Sequence, residues 1–571
     1  MYKPSSRFTA ILAFAISAWA VFYHLGDFAL LSPDEGRNAE VAREMKLAGA
    51  WLVPSYDGAT YLDKPAFFFK AVALSLAAFG DNEAAARLPS ALFAFGLLTL
   101  LYAFCRKVYD PLTAALAMVV VATTPLFMAF SRIVIFDMTL AFFVCAAILA
   151  AYLAEEAEGR HRTRWYLLAT LAAGIATLVK GPVGFLIPLL TMAVFHASQG
   201  RAAVIKRFFS PLNILLFLAV VLPWFIGLSM ACPDFPYYGI MKESIARFTT
   251  PEFRRTQPVY YYALIIAGTF FAWSLILPES MHRAWAQRRN LARPDMFFMI
   301  WALVVVMFFT LSKSKLPGYI LTGVVALGVL CARVFATALN DTGSEAANIV
   351  RRGSLILALL TSVLALTIAA ASTRPDWFVQ HQWLKPDLLE HFGHLFGQLA
   401  LSFGLVALLA IAAHHTRKPQ WALAAFLSVP TLLLTLSFGL LPQHANLKSA
   451  RPLFERLPAS LPAGTTFACI QCMPHGLPFH LGQLITVFTE DGKELTSNYV
   501  LFSLKSGKPW PEHLVPYAQM PTWLSARQQP VFLMIRSHRR PELEAIAHPL
   551  GAEVIPLGND YLAALLPARG H

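Results

Sequence analysis

Apolar residues recur along this chain in blocks of about 16–22, close to the roughly 20 that a helix needs to cross the hydrocarbon core of a bilayer. Of 571 residues, 57% are hydrophobic and only 14% charged, which excludes an ordinary soluble protein. Short cytoplasmic loops retain Lys and Arg, so the basic clusters set the orientation. Lys3/Arg7, Arg106-Lys107, Arg160–Arg164, Arg201–Arg207, Arg283–Arg293, Arg351-Arg352 and Arg417-Lys418 all fall on one side if helices lie near 8–24, 86–105, 112–131, 137–154, 165–179, 182–198, 211–229, 258–278, 295–311, 317–333, 354–372, 396–413 and 419–441. That gives about thirteen spans and an all-α polytopic membrane domain over residues 1–442. The first apolar run reads as an uncleaved helix rather than a signal peptide, given the spans that follow.

Residues 66–80 are apolar but short and contain Lys70, so they read as an interfacial or re-entrant helix. From 443 to 571 the chain turns to Pro, Gly, charge and short apolar runs such as Leu484–Phe488, Tyr499–Phe502 and Val531–Ile535. These are strand-length, so a small soluble α/β domain outside the cytoplasm is expected. Four of the six cysteines fall in or beside spans as packing residues. Cys469 and Cys472 form a C-x-x-C that reads equally as a local disulfide or as two thiols.

The net charge of +13 is in part the cytoplasmic bias, and no nucleic-acid partner is expected. Basic residues on the other face are more informative. Arg37, Arg43, Lys64, Lys180, Lys242, Arg247, Arg254, Arg255, Lys313 and Lys315 map there, where Lys and Arg are ordinarily depleted. Anionic ligands suit them, because Arg and Lys match phosphate oxygens; snorkelling to lipid head groups accounts for about half. Arg43 is assigned to the solvated face of an amphipathic helix. Ionisable residues at membrane level default to functional hypotheses. Asp34-Glu35 follows the first span, Asp137 opens the fourth, and Lys313-Ser314-Lys315 forms a doubly basic turn. Asp137 also suits a helix N-terminus, and Lys180 a helix C-terminus.

Several motifs carry a family resemblance. Pro33-Asp34-Glu35-Gly36-Arg37, Gly49-Ala50-Trp51, Tyr61-Leu62-Asp63-Lys64-Pro65, Ala86-Arg87-Leu88-Pro89-Ser90, Arg247-Phe248-Thr249-Thr250, Ser312-Lys313-Ser314-Lys315-Leu316-Pro317-Gly318-Tyr319 and Gly476-Leu477-Pro478-Phe479-His480 follow in order along the chain. Together they resemble the bacterial aminoarabinose transferases, within the GT-C membrane glycosyltransferases that include protein O-mannosyltransferases. The resemblance implies a multi-pass enzyme of the inner membrane with a periplasmic C-terminal domain and a catalytic periplasmic loop near residues 25–85. Its donor would be a sugar, typically 4-amino-4-deoxy-L-arabinose, on undecaprenyl phosphate. Its acceptor would be a phosphate of lipid A, with resistance to polymyxin and other cationic peptides as the consequence.

Carried over by position, Asp34 and Asp137 would form the acidic centre, with Glu35 beside them. Arg37, Lys64 and Tyr61 would hold the donor phosphate. Arg247, Arg254, Arg255, Lys313, Lys315 and Tyr319 would meet the acceptor. Three positions depart from the pattern: Asp63 where relatives carry Glu (with Lys70 at a usual aromatic), Glu243-Ser244 where they carry Glu-His, and Thr322 where they carry Pro. No cofactor is expected to be required, although Asp34, Glu35 and Asp63 make a divalent cation a candidate. A transferase of the same fold acting on protein or another glycan is the runner-up. A lipid-sugar transporter would cluster its charges at the midplane between repeats, and no repeat is visible.

Overall fold

The computed structural model describes residues 6–252, 255–288, 290–383 and 386–569. Among them, seven helices are long and apolar enough to cross a membrane, or eight if the pair Tyr261–Thr269 and Trp273–Ala286, bent by 118°, is one span. The other expected segments are also helical: Ser6–Phe22, Pro111–Ala122, Gly159–Lys180 and Val183–Ser198, each shorter or more charged, and Pro419–Lys448. This last helix runs past the expected boundary at 443. The expected short helix at 66–80 is present as Phe67–Phe79.

The bundle sorts its helices by burial. In Asp137–Glu156, 83% of the apolar window lies inside the protein, whereas in Pro211–Ala231 only 6% does. A helix that turns Leu215, Ile226 and Met230 outward needs an apolar solvent around it, which is what a bilayer supplies.

The loop after the first helix is not a surface excursion. In the helix Asp34–Ala48, ten of its fifteen residues, Arg43 among them, are buried. Arg43 is therefore not on a solvated face: it makes two 2.7 Å bonds to Glu40. Next comes a two-residue hairpin, β1 (Ser55–Tyr56) and β2 (Ala59–Thr60), closed by Asp57-Gly58. Both turn residues have positive φ, the conformation that favours Asp-Gly there. Glu44 accepts from the Asp57 and Gly58 amides and from Ser55, fastening the turn to the helix.

One buried ion pair anchors this loop. Arg87, fully buried in the helix Glu83–Val108, makes two 2.9 Å bonds to Glu35 and donates to the carbonyls of Leu25, Phe28 and Ala29. Glu35 also accepts from the amides of Leu31 and Val134. The carboxylate expected beside the sugar is thus engaged in structure, because a buried charge must have its lone pairs filled.

The C-terminal part carries a six-stranded sheet in the order β5-β4-β3-β6-β8-β7. Its strands are β3 (Thr466–Ile470), β4 (Ile485–Thr489), β5 (Leu514–Pro516), β6 (Val531–Arg536), β7 (Val554–Gly558) and β8 (Tyr561–Leu566). The first four in that order are parallel, and β8 runs antiparallel to β6 and β7. The inner parallel strands are buried on both faces, which explains their unbroken apolar runs. Tyr499–Phe502, expected as a strand, lies in the helix Asn498–Lys505, capped by the Ser497 hydroxyl. Cys469 and Cys472 are buried free thiols.

Replacing Arg87 with Met should strand Glu35 in a dry site at about 3–5 kcal/mol. Thermal scanning of the detergent-purified protein should show a large drop in midpoint. An unchanged midpoint would mean the pair does not anchor the loop.

Candidate active site

Two backbone contacts bring distant motifs together. Lys313 N–H donates to the Phe248 carbonyl and Lys315 N–H to the Arg255 carbonyl, so the Arg247 segment lies against the Lys313–Tyr319 segment. Helix ends supply the rest. Asp137 opens its helix, Lys180 closes the following one, and the two meet at 2.6 Å. An acid at a helix N-terminus and a base at a C-terminus each suit the local dipole, so the pair is stabilised twice over. Gly181, which follows, has φ +76°, so a side chain there would be strained.

The result is a cavity of about 360 Å3 whose polar rim holds Lys64, Asp137, Lys180, Glu243, Arg247 and Tyr319. Leu140, Val144, Leu186, Ile187, Phe308 and Phe309 form its apolar walls. Glu243 lies at the centre of the cluster, on the π-helical stretch Tyr238–Ala246. It accepts from Lys64 at 2.6 Å and from Arg247 at 2.7 Å. Burial alone would raise the Glu243 pKa, but the charges of Lys64 and Arg247 overcome it and hold the carboxyl at about 2. Burial, with the Arg247 charge beside it, lowers Lys64 from its ordinary value. Lys180 stands 4.6 Å from the Tyr319 ring centroid, and Arg247 faces the Tyr319 hydroxyl. Three cations against two carboxylates leave the rim one positive charge in excess, which suits an anion.

Lys64 is positioned through Asp63. The Lys64 ammonium donates to the Asp63 carbonyl at 2.6 Å. The Asp63 carboxylate accepts from the Asn498 and Tyr499 amides and the Ser497 hydroxyl, at the N-terminus of Asn498–Lys505. The Tyr238 hydroxyl stands 3.0 Å from Asp63 and 3.2 Å from Glu243. Burial, then the Glu243 charge, raises the Asp63 pKa.

Other expected site residues lie elsewhere. Asp34 and Arg37 do not line the cavity with Asp137; they pair with each other at 2.5 Å. Arg37 also donates to the Thr496 carbonyl and hydroxyl, and packs over Tyr61. Tyr61 is buried against Tyr56 and Phe69. The chain reason is steric: Gly36 packs on Gly476 so closely that a Cβ would lie 2.7 Å from its nitrogen, drawing this turn under the C-terminal sheet. Lys315 is turned inward and bonds the Gln257 and Ser312 carbonyls, since a buried ammonium needs acceptors. Lys313 and Arg255 are exposed, and Arg254 lies outside the described residues.

Glu243 was not among the expected site residues, Lys180 stood only among the outward basic residues, and Asp63 only as a candidate cation ligand. Position in the motif was the available signal: Asp63 precedes Lys64, and Glu243 lies four residues before Arg247 on a helical turn.

The family profile described as dolichyl-phosphate-mannose-protein mannosyltransferase matches residues 63–226. The undecaprenyl phosphate-alpha-4-amino-4-deoxy-L-arabinose arabinosyl transferase of Pseudomonas aeruginosa (strain LESB58) is 28% identical over 565 residues, covering 97% of this chain and 98% of that one. The like-named protein of Photorhabdus laumondii is 28% identical over 408 residues, 71% of each. This chain is a relative of those membrane transferases. The structure of ArnT from Cupriavidus metallidurans bound to undecaprenyl phosphate shares the fold, with a TM-score of 0.79, 23% identity and 98% coverage of both chains. Its apo form gives 0.77.

His475 gives a pH test of the joint beneath the site. It shares a 2.7 Å hydrogen bond with buried Tyr56, and burial, with Arg37 nearby, lowers its pKa to about 3. An unfolded His takes up a proton below about pH 6.5. Acidification from pH 7 to 5 therefore favours the unfolded chain by about 2 kcal/mol. His475→Gln should flatten the fall in thermal midpoint between those pH values; equal slopes in both proteins would remove His475 as the cause.

Proposed function

We propose that this chain is a membrane glycosyltransferase that moves 4-amino-4-deoxy-L-arabinose from undecaprenyl phosphate to a phosphate of lipid A. The observation that carries this reading is the net-cationic rim of Lys64, Lys180 and Arg247 at the mouth of an apolar cavity. A lipid phosphate has that dual character. The Pseudomonas aeruginosa protein, named as an undecaprenyl phosphate-linked aminoarabinose arabinosyl transferase, aligns over 97% of this chain. In this reading all thirteen apolar segments cross the bacterial inner membrane. The transmembrane unit 1–442 carries the chemistry at the periplasmic face, and 443–571 form a periplasmic domain over it. Modifying lipid A lowers surface negative charge and so weakens binding of polymyxin and other cationic peptides.

In the reaction, an acceptor phosphate oxygen attacks the anomeric carbon while the bond to the undecaprenyl phosphate oxygen breaks. Negative charge grows on the departing phosphate, where preorganised cations act most strongly. Lys64 and Arg247 take that role, with Tyr319 beside them. A phosphate acceptor is already ionised, so no strong general base is needed. Asp137 holds Lys180 in place at the rim. Lys313 and Arg255, both exposed, are left to meet the acceptor's anionic groups.

The residues present do not fit a divalent ion. Among the described residues no group of three His, Cys, Asp or Glu side chains is placed to hold one. The Asp63 oxygens are filled by N–H and O–H donors, and Glu243 by two cations. We propose that the enzyme works without added metal.

Measurements with purified full-length enzyme, the lipid-linked amino sugar and lipid A test this, together with one on cells. Lys64→Ala should lower turnover by about 10²–10³-fold, the effect of losing one charge-stabilising group. Arg37→Ala should act mainly on thermal stability. Loss of activity in EDTA that a divalent ion restores would overturn the metal-free reading. Mass spectrometry of lipid A from cells lacking the gene should show the amino sugar missing; unchanged lipid A would overturn the acceptor.

A further inference from the structure

A second cavity, of about 220 Å3, adjoins the first. Lys64, Lys180, Pro182, Glu243 and Ser244 line both, so the charged cluster is their common wall. Beyond that wall the two differ in chemistry. The larger cavity is mostly aliphatic, whereas the smaller is faced by Phe185, Phe217, Trp224, Phe225 and Phe235. Trp224 is held edge-on to Phe235, with ring centroids 5.5 Å apart. Its indole N–H is buried and meets no acceptor among the described residues. The buried indoles of Trp273 and Trp301 are unmatched too, but Trp224 alone of the three lines this cavity, where a ligand could reach it.

A polyprenyl or acyl chain has no acceptor to offer an indole. A sugar ring does: its C–H faces lie on aromatic rings, and its oxygens accept from a fixed N–H. An ammonium on that ring would gain from the aromatic faces. We infer that this aromatic cavity receives the glycosyl group of the donor, with Trp224 Nε1 donating to a sugar oxygen. The inference rests on the transfer reaction proposed above. It places the polyprenyl chain in the aliphatic cavity, the phosphate at Lys64 between the two, and the sugar against Trp224. An indole near a span end can also be a plain interfacial anchor, and the test separates the two roles.

Trp224→Phe keeps an aromatic ring and removes one donor. With the full enzyme and the lipid-linked amino sugar, kcat/KM should fall about tenfold, the effect of one hydrogen bond. Affinity for sugar-free undecaprenyl phosphate should stay at the wild-type value. Trp224→Leu should lose more turnover and still bind the sugar-free lipid. If Trp224→Phe proves unstable, Phe217→Leu, which alters only the aromatic wall, should show the same split. Wild-type kinetics in Trp224→Phe, or equal weakening toward both lipids, would overturn the subsite. A wild-type enzyme that neither binds undecaprenyl phosphate nor transfers its sugar would instead overturn the proposed function.

Discussion

The Asp63 carboxylate is the point on which the rest of this structure depends. It lies between the membrane helices and the C-terminal sheet, out of reach of water, and its charge has to be met by protein groups. The first turn of Asn498–Lys505 meets it with two amides and a hydroxyl. That contact fixes the backbone whose next residue is Lys64, and so fixes where a lysine ammonium stands at the cavity rim. Four further contacts work in parallel: Asp57 accepts from the Ile485 amide, Tyr56 bonds His475, Gly36 packs on Gly476, and Arg37 grips Thr496. The sheet is a wall of the loop that carries Lys64 rather than an appendage to it.

Charge placement follows one rule throughout. Arg87 with Glu35, Arg43 with Glu40, Lys180 with Asp137 and Lys64 with Glu243 are all paired in sites with little water. Removing one partner of such a pair is expensive, while the pair itself adds little net stability. What distinguishes the cavity is that its pairs do not cancel. Glu243 alone faces two cations there, so the rim retains attraction for a third anion. The pairs of Arg87 with Glu35 and of Arg43 with Glu40 are one to one, and those residues hold elements in place.

The architecture was legible in the apolar blocks because a bilayer imposes one length scale on every helix. The loop from Ser32 to Lys64 also stands out in the sequence as polar chain between apolar segments. What could not be read was direction. Nothing local distinguishes Glu35, which reaches Arg87 52 residues on, from a carboxylate that faces a substrate. Arg43 and Lys315 carry surface residue types but turn inward, and Lys180 looked like a routine helix-end cation. Tyr499–Phe502 has strand-like residues, yet its helix is completed by Asp63, more than 430 positions earlier. Such outcomes depend on contacts that sequence spacing does not encode.

The joint between loop and sheet has a consequence for folding. Asp63 and Tyr56 precede Tyr499 and His475 by over 400 residues, so the contacts that shape the rim are among the most non-local in the chain. Contacts of that separation form late, after the loops between them are closed. A chain with every membrane helix formed still lacks the rim until its last strands have folded against the loop. The placing of Lys64 is thereby coupled to the folding of a sheet that lies hundreds of residues further along.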